Sequence, residues 1–138
     1  MIRALMEESL VLLKPDCLES RKCGEVLKRF EEAGFAVFGV KMMRLSDEIL
    51  REHYAHLTEL PFFPEIQGFM QSSPVVAIAL RGENAIVRIR EMVGPTDSTV
   101  AEKGTLRGDF GQDKMKNVVH ASDSVENGQA ELKRFFAD

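Results

Sequence analysis

The sequence of 138 residues lacks the compositional features that are typical of disordered, disulfide-rich and membrane proteins. It contains five prolines and two cysteines, while 44% of its residues are hydrophobic and 29% are charged. This composition is close to the average for soluble globular proteins. A chain of this length can bury a core without a metal or a disulfide to hold it together. We therefore expect a single domain spanning residues 1–138.

The N-terminus and the cysteines both indicate a cytoplasmic protein. The segment from Met1 to Glu8 carries two glutamates beside one arginine, and the apolar stretch after it stops at Lys14, so we expect neither a signal peptide nor a membrane span. Cys17 and Cys23 are six positions apart, which matches neither a redox Cys-x-x-Cys motif nor a zinc site. We expect both to be reduced thiols.

Charge and missing motifs restrict the possible ligands. The formal net charge of −4 argues against binding nucleic acid with the whole surface, although a local basic pocket could still hold a phosphorylated ligand. Neither G-x-x-x-x-G-K-S/T nor G-x-G-x-x-G occurs. Nucleotide phosphates, if bound, must therefore be held without these glycine-rich loops.

Hydrophobic periodicity predicts alternating strands and helices. Strands are expected at residues 9–13, 35–45, 75–80 and 118–119, and helices at about 23–33, 46–56, 66–70, 84–93 and 123–136. Ser46 is expected to cap one helix, and Asp123 with Glu126 resembles a capping box for the last one. The order favours an α+β fold of the ferredoxin-like kind, a sandwich whose antiparallel sheet is covered by helices on one face.

Residues 94–116 form the longest stretch without a clear period. They include four glycines and one proline, so we expect no regular secondary structure there. Loops longer than about 12–15 residues are usually functional. This loop is therefore a candidate part of a site.

The segment 117–124, Asn-Val-Val-His-Ala-Ser-Asp-Ser, draws attention to His120. The histidine directly follows two β-branched residues, precedes a capped helix and is surrounded by small hydrogen-bonding side chains. This context favours an exposed and oriented imidazole. A structural histidine is nevertheless commoner than a catalytic one, so spacing alone leaves both roles open.

Several separated blocks, in the right order, resemble the nucleoside diphosphate kinase family from about residue 9 to residue 136. They are Val-Leu-Leu-Lys-Pro-Asp at 11–16, Gly-Glu-Val-Leu-Lys-Arg-Phe-Glu at 24–31, His-Tyr at 53–54, Pro-Phe-Phe at 61–63, Ser-Pro-Val-Val-Ala at 73–77, Gly-Thr-Leu-Arg-Gly-Asp-Phe at 104–110, and the His120 segment. The resemblance implies an enzyme that transfers the γ-phosphoryl group from a nucleoside triphosphate, typically ATP, to a nucleoside diphosphate. It implies a ping-pong mechanism through phosphohistidine, with broad base and sugar specificity.

The resemblance also implies roles for catalytic side chains. His120 would be the nucleophile that attacks the γ-phosphate, because neutral imidazole is nucleophilic. Glu131 would accept a hydrogen bond from the other ring nitrogen, with Ser122 supporting it. Tyr54 would place a hydroxyl near His120 and Lys14.

Binding of the phosphates and sugar falls, by the same resemblance, to five residues. Phosphoryl transfer needs positive charge around the moving group, which Lys14, Arg90 and Arg107 would supply. Thr96 would hydrogen-bond a phosphate and Asn117 the sugar.

The resemblance also implies how the nucleotide base and the metal ion are bound. Phe62 would stack on the base, with Ile66 on the other side of the slot and Phe63 in the core. Mg²⁺ would enter bound to the nucleotide phosphates, with no ligand from the protein. His53 and His56, three positions apart, could bind a metal, but no third ligand is evident.

Two positions depart from the family pattern. Cys17 stands where glycine usually follows Lys-Pro-Asp, and Ala121 replaces the glycine that usually follows the histidine. The alanine adds a methyl group beside the nucleophile and restricts the backbone there. We expect it to tune activity without abolishing it.

Partners and alternatives follow from the resemblance and the charge. Family members form hexamers or tetramers built from dimers, so we expect a homo-oligomer with no membrane partner. One alternative is a catalytically weak nucleotide-binding or regulatory module, which would usually lack His120, Lys14, Arg107 or Asn117. Nucleic-acid binding is at most secondary, since the net charge is acidic.

Overall fold

Four strands form one antiparallel sheet in a computed structural model, which describes residues 5–137. They are β1 (Met6–Leu13), β2 (Ala36–Met43), β3 (Val75–Glu83) and β4 (Val119–Ala121). Their order across the sheet is β2-β3-β1-β4, and each neighbouring pair is antiparallel. The expected α+β, ferredoxin-like class is confirmed. Residues 1–4 of the N-terminal segment discussed above lie outside the described residues.

Helices fill the connections between the strands. They are α1 (Pro15–Glu19), α2 (Cys23–Glu32), α3 (Asp47–His53), α4 (Phe63–Met70), α5 (Ala85–Val93), α6 (Leu106–Phe110) and α7 (Val125–Phe136), with 3₁₀ turns at Ala55–Leu57 and Ser98–Val100. Within residues 5–137, no helix is both long and apolar enough to span a bilayer.

Helices pack on both faces of the sheet. Alternate residues of β1 point to opposite sides: Val11 and Leu13 pack with α2 and α5, whereas Leu10 and Leu12 pack with α3, α4 and α7. The expectation that helices cover one face is therefore wrong. A strand buried on both faces reads as a continuous apolar run, so its sequence does not reveal how many layers surround it.

The helix after β1 was not expected from the sequence, and one helix cap differs from the expectation. The chain after β1 forms the helix α1, because a proline at the first helical position has the right φ and no N–H to satisfy. At α7 the cap is Ser124, whose Oγ accepts a hydrogen bond from the Asn127 N–H at 3.0 Å, so the capping box at Asp123 and Glu126 is wrong. Ser46 does cap α3, accepting from the Ile49 N–H at 3.1 Å.

The segment 94–116 is more regular than expected. It contains a 3₁₀ turn and α6, and the residue before α6, Thr105, holds the turn together. The Thr105 hydroxyl donates to the Glu102 carbonyl at 2.6 Å and accepts from the Gly108 N–H at 3.0 Å. Such local side-chain bonds define structure without a hydrophobic period, which explains why the expectation of a structureless loop was wrong in part.

Replacing Gly108 with alanine is expected to destabilise the fold. A Cβ at Gly108 would overlap the Glu102 carbonyl oxygen, whereas a Cβ at Gly68, in α4, meets nothing within 4 Å. We expect Gly108→Ala to lower the free energy of unfolding by about 1–3 kcal/mol. The control Gly68→Ala should leave it unchanged or raise it, because alanine favours helices. Equal stability of the two variants in urea titrations would contradict this close approach.

Candidate active site

His120 lies in the edge strand β4 and is held from one side by α7. It pairs with Leu12 of β1, and its Nε2 atom is 3.1 Å from both carboxylate oxygens of Glu131. The Ser122 hydroxyl donates to Glu131 Oε1 at 2.6 Å. Since a neutral imidazole that donates through one nitrogen keeps a lone pair on the other, donation from Nε2 to Glu131 leaves the lone pair on Nδ1.

Glu131 is a carboxylate well suited to orient that ring. Its burial favours the neutral acid, but the hydrogen bonds from His120 and Ser122 outweigh burial, and the pKa of Glu131 is lowered. The carboxylate therefore stays charged and accepts from both partners. Serine, glutamate and histidine form one connected unit in this way.

A second histidine, His53, packs against the first, a contact that sequence reasoning did not predict. The two rings meet edge to face with centroids 4.6 Å apart, and His53 Nδ1 accepts from Arg134 at 3.1 Å. Burial, reinforced by the charge of His120, lowers the pKa of His53 to about 3, so the ring is neutral. The structure groups His53 with His120 and Glu131, rather than with the exposed His56.

Lys14 is a buried cation that is fixed in direction. It follows β1 directly, and its Nζ donates to Asn117 Oδ1 at 2.7 Å and to the Met115 carbonyl at 2.5 Å. The ring of Phe69 lies 5.7 Å from the ammonium. Burial and, to a smaller extent, the charge of Arg107 lower the pKa of Lys14 to about 8.

Arg107, on α6, links the 94–116 segment to strand β4. Its guanidinium donates to the carbonyl of Val119 at 2.7 Å and to that of Gly94 at 3.1 Å. Burial lowers the pKa of Arg107 to about 10, which still leaves the group charged at neutral pH. Asn117 continues the network, since its amide donates to the carbonyl of Thr96 at 2.9 Å.

These groups face a common cavity of about 920 Å³. Every residue that the family resemblance implied, apart from Ser122, lines it: Lys14, Tyr54, Phe62, Ile66, Arg90, Thr96, Arg107, Asn117, His120 and Glu131. Ser122 is buried and touches the cavity only through its bond to Glu131. Residues from four helices, from strand β4 and from the segments between elements therefore converge on one space.

Of the two adjacent phenylalanines at the start of α4, one lines the cavity and the other lies in the core. Phe62 is 48% exposed at the start of α4, whereas the next residue, Phe63, is 2% exposed and belongs to the core. Ile66 follows Phe62 by one helical turn and is half-buried. Burial raises the pKa of Tyr54 to about 12, so its hydroxyl keeps its proton and can donate.

The two departures from the family pattern have clear structural settings. Ala121 is buried in β4, where it pairs with Val11. An extended strand backbone is readily adopted by alanine, so the added methyl group causes no backbone strain. Cys17 is buried in the core between β1 and α2.

Comparison with known proteins shows the family to which the chain belongs. The sequence pattern of the family described as nucleoside diphosphate kinase matches residues 7–138. The chain belongs to the nucleoside diphosphate kinase family. A family member from Rhodopirellula baltica is 46% identical over 95% of this chain and 86% of its own length.

Solved structures of nucleoside diphosphate kinases share the fold. The enzyme from Aquifex aeolicus superposes with a TM-score of 0.91 at 45% identity, covering 96% of both chains. The enzyme from Halobacterium salinarum, solved in complex with CDP, gives a TM-score of 0.92 at 35% identity and covers 97% of this chain and 90% of its own. Family membership makes this chain a phosphotransferase that moves phosphoryl groups between nucleotides.

Alkaline pH is expected to weaken nucleotide capture through Lys14. Lysine carries its charge below its pKa, so the cation is lost as the pH rises through about 8. We expect kcat/KM for ATP to fall with a midpoint near this pH, since kcat/KM reports the free enzyme. In Lys14→Arg the alkaline fall should disappear, because arginine stays charged. An unchanged alkaline limb in that variant would show that another group titrates.

Proposed function

We propose that this member of the family transfers the γ-phosphoryl group of a nucleoside triphosphate, typically ATP, to a nucleoside diphosphate through a phosphohistidine on His120. The observation that carries the proposal is the pair of 3.1 Å contacts between His120 Nε2 and Glu131, in a cavity that also holds Lys14 and Arg107. One ring nitrogen is occupied and the other is left for the phosphorus.

The first half of the reaction forms the phosphohistidine. Nδ1 attacks the γ-phosphorus, the bond to the bridging oxygen breaks, and the nucleoside diphosphate leaves with those electrons. Positive charge develops on the ring, which the Glu131 carboxylate stabilises through Nε2–H. A second nucleoside diphosphate then takes the phosphoryl group by the reverse steps, which gives ping-pong kinetics.

Cationic side chains meet the charge of the phosphates. Lys14, Arg90 and Arg107 line the cavity, and phosphoryl transfer depends mainly on positioning and on stabilising charge at the peripheral oxygens. Arg90 and Thr96 are exposed and are therefore free to reorient around the ligand. Asn117, whose Oδ1 accepts a hydrogen bond from Lys14 Nζ at 2.7 Å, binds the sugar in this proposal.

Magnesium fits this site as part of the nucleotide. Among the residues described, the potential metal-binding group is His53, His120 and Glu131. Two ring nitrogens and a carboxylate already bonded to Ser122 do not suit Mg²⁺, which prefers oxygen ligands and keeps several waters. The cationic lining instead suits a nucleotide whose phosphates carry Mg²⁺. On the phosphates, the ion would neutralise part of their negative charge.

Broad base specificity follows from the exposed ring of Phe62. Stacking tolerates every base, because each presents a π-face, and Ile66 supplies an apolar surface nearby. The Halobacterium salinarum relative was solved with the pyrimidine nucleotide CDP. We expect purine and pyrimidine diphosphates both to serve as acceptors here.

The proposed enzyme acts as a cytoplasmic homo-oligomer, a hexamer or tetramer built from dimers. β2 forms one edge of the sheet, and its residues Phe38, Val40 and Met42 are exposed apolar side chains. An apolar edge strand invites pairing with another chain, so β2 is the surface we favour for the dimer. Both cysteines are free thiols, which suits the cytoplasm.

Phosphorylation followed by transfer tests the function directly. The purified chain is incubated with Mg²⁺ and γ-labelled ATP, freed of nucleotide, and digested to locate label that is lost in acid and kept in base. GDP or CDP is then added to the labelled protein. Label on the His120 peptide that moves to the diphosphate supports the proposal. Nucleotide binding without label would favour the binding-module alternative.

A further inference from the structure

The two cysteines, which spacing alone left without a function, lie side by side in the folded chain. Their Sγ atoms are 3.9 Å apart. The turn between α1 and α2 brings them together, because the Lys22 N–H donates to the Cys17 carbonyl at 3.1 Å and the Ser20 hydroxyl donates to the same oxygen at 3.3 Å. We propose that Cys17 and Cys23 are a redox-active pair, which a small disulfide such as glutathione disulfide converts to an intramolecular disulfide.

The surroundings assign different roles to the two thiols. Cys17 is fully buried, whereas Cys23 is half-buried and is the first residue of the ten-residue helix α2. The contact with Cys17 lowers the pKa of Cys23, while the same contact and burial raise the pKa of Cys17. A thiolate at a helix N-terminus is the usual attacking group. Cys23 is therefore the thiol that reacts first, and Cys17 is the resolving thiol.

Closing the disulfide requires only a small local movement. The sulfur atoms must approach each other by roughly 2 Å to reach the bond length of a disulfide. Within the segment between them, residues 19–22 are exposed, and a Cβ at Gly24 would meet nothing within 4 Å. Cys23 is itself partly exposed, so its sulfur is the more accessible of the two to an oxidant.

The chemistry balances as two successive exchanges. The Cys23 thiolate attacks one sulfur of glutathione disulfide, the sulfur–sulfur bond breaks, and one glutathione thiolate leaves and takes up a proton. Cys17 then loses its proton and attacks Cys23 Sγ, which expels the second glutathione. The protein gives up two electrons and two protons, and one glutathione disulfide becomes two glutathione thiols. Excess glutathione drives both steps backwards.

The site adjoins the catalytic segment while remaining separate from the cavity. The Cys17 N–H donates to the Lys14 carbonyl at 2.9 Å, yet neither cysteine lines the cavity. The oxidation state of the pair can therefore be measured without nucleotide and without reference to phosphorylation of His120.

Redox titration of the full chain tests the proposal. The protein is equilibrated with glutathione and glutathione disulfide in a series of ratios, quenched with acid, alkylated, and analysed by intact mass and non-reducing peptide mapping. We expect loss of both alkylatable thiols at the oxidising end, a Cys17–Cys23 link within one chain, and full return of the thiols on reduction.

Two single variants separate the roles of the thiols. Cys17→Ala should stop at a glutathione adduct on Cys23, because the resolving thiol is missing, whereas Cys23→Ala should keep Cys17 unmodified. The wild-type result decides the proposal even if a variant folds poorly. Two free thiols across the whole series, an accumulating adduct on wild-type Cys23, or a link between two chains would each overturn it.

Discussion

Replacing His120 with glutamine is expected to abolish phosphoryl transfer. Glutamine can still donate a hydrogen bond to Glu131, but its amide nitrogen has no lone pair available to attack phosphorus. We expect no covalent label from γ-labelled ATP and a fall in kcat of more than about 10⁴-fold. Steady-state assays with ATP and a diphosphate acceptor, together with the labelling experiment, measure both quantities.

His56→Gln is the matched control for this change. His56 also lines the cavity, but it is exposed and is not among the hydrogen-bonding partners of Glu131, which are His120 and Ser122. Its variant should retain labelling and chase. Label that persists in His120→Gln, or that disappears in His56→Gln, would place the phosphorylated residue elsewhere.

Replacing Arg107 with lysine is expected to reduce kcat/KM by about 10²–10³-fold. The substitution keeps the charge, but a lysine cannot bond the carbonyls of Gly94 and Val119 and still present a planar donor to a phosphate. The loss should appear mainly in kcat if the guanidinium acts on the transition state. Initial rates over a range of ATP concentrations separate kcat from KM.

Arg81→Lys provides the comparison for Arg107→Lys. Arg81 is an exposed residue of β3 that pairs with Glu8 and lies outside the cavity. Its variant should keep full activity. Thermal unfolding of both variants shows whether a loss of activity reflects the site or the fold. A soluble, folded Arg107→Lys enzyme with near-normal kcat/KM would remove Arg107 from the mechanism.

Sequence patterns predicted the long helices and strands well, because their buried residues form a clear hydrophobic pattern. β3 appears as an apolar run, and α5 shows apolar residues at helical spacing. The five-residue helix α1 was missed because long-range contacts support it: Asp16, buried within it, accepts a hydrogen bond from the Val118 N–H at 3.0 Å. A contact across about a hundred residues leaves no local pattern.

The site, too, has residues that could be predicted from the sequence and residues that could not. Resemblance to a family located the residues that line the cavity, although they are far apart in the chain, and neither periodicity nor spacing could have grouped them. The resemblance included His53 in one of its blocks but implied no role for it, because the contacts of this ring depend on Arg134 and Phe135 of α7. The cysteine pair was not predicted because its spacing does not match Cys-x-x-Cys. The turn at Ser20 brings the two residues together although they are six positions apart.

The bonds around Lys14 determine whether the entropy of orienting this side chain is lost in folding or in ligand binding. Two of the three ammonium donors are already committed, to Asn117 and Met115, so the third has a set direction before any nucleotide arrives. The entropy of orienting this long side chain is therefore lost once, during folding, and not again in every turnover. Burial works against the charged form, as the lowered pKa of Lys14 shows. Under the proposed function, the chain thus gives up some folding stability to keep an ammonium group ready for phosphate.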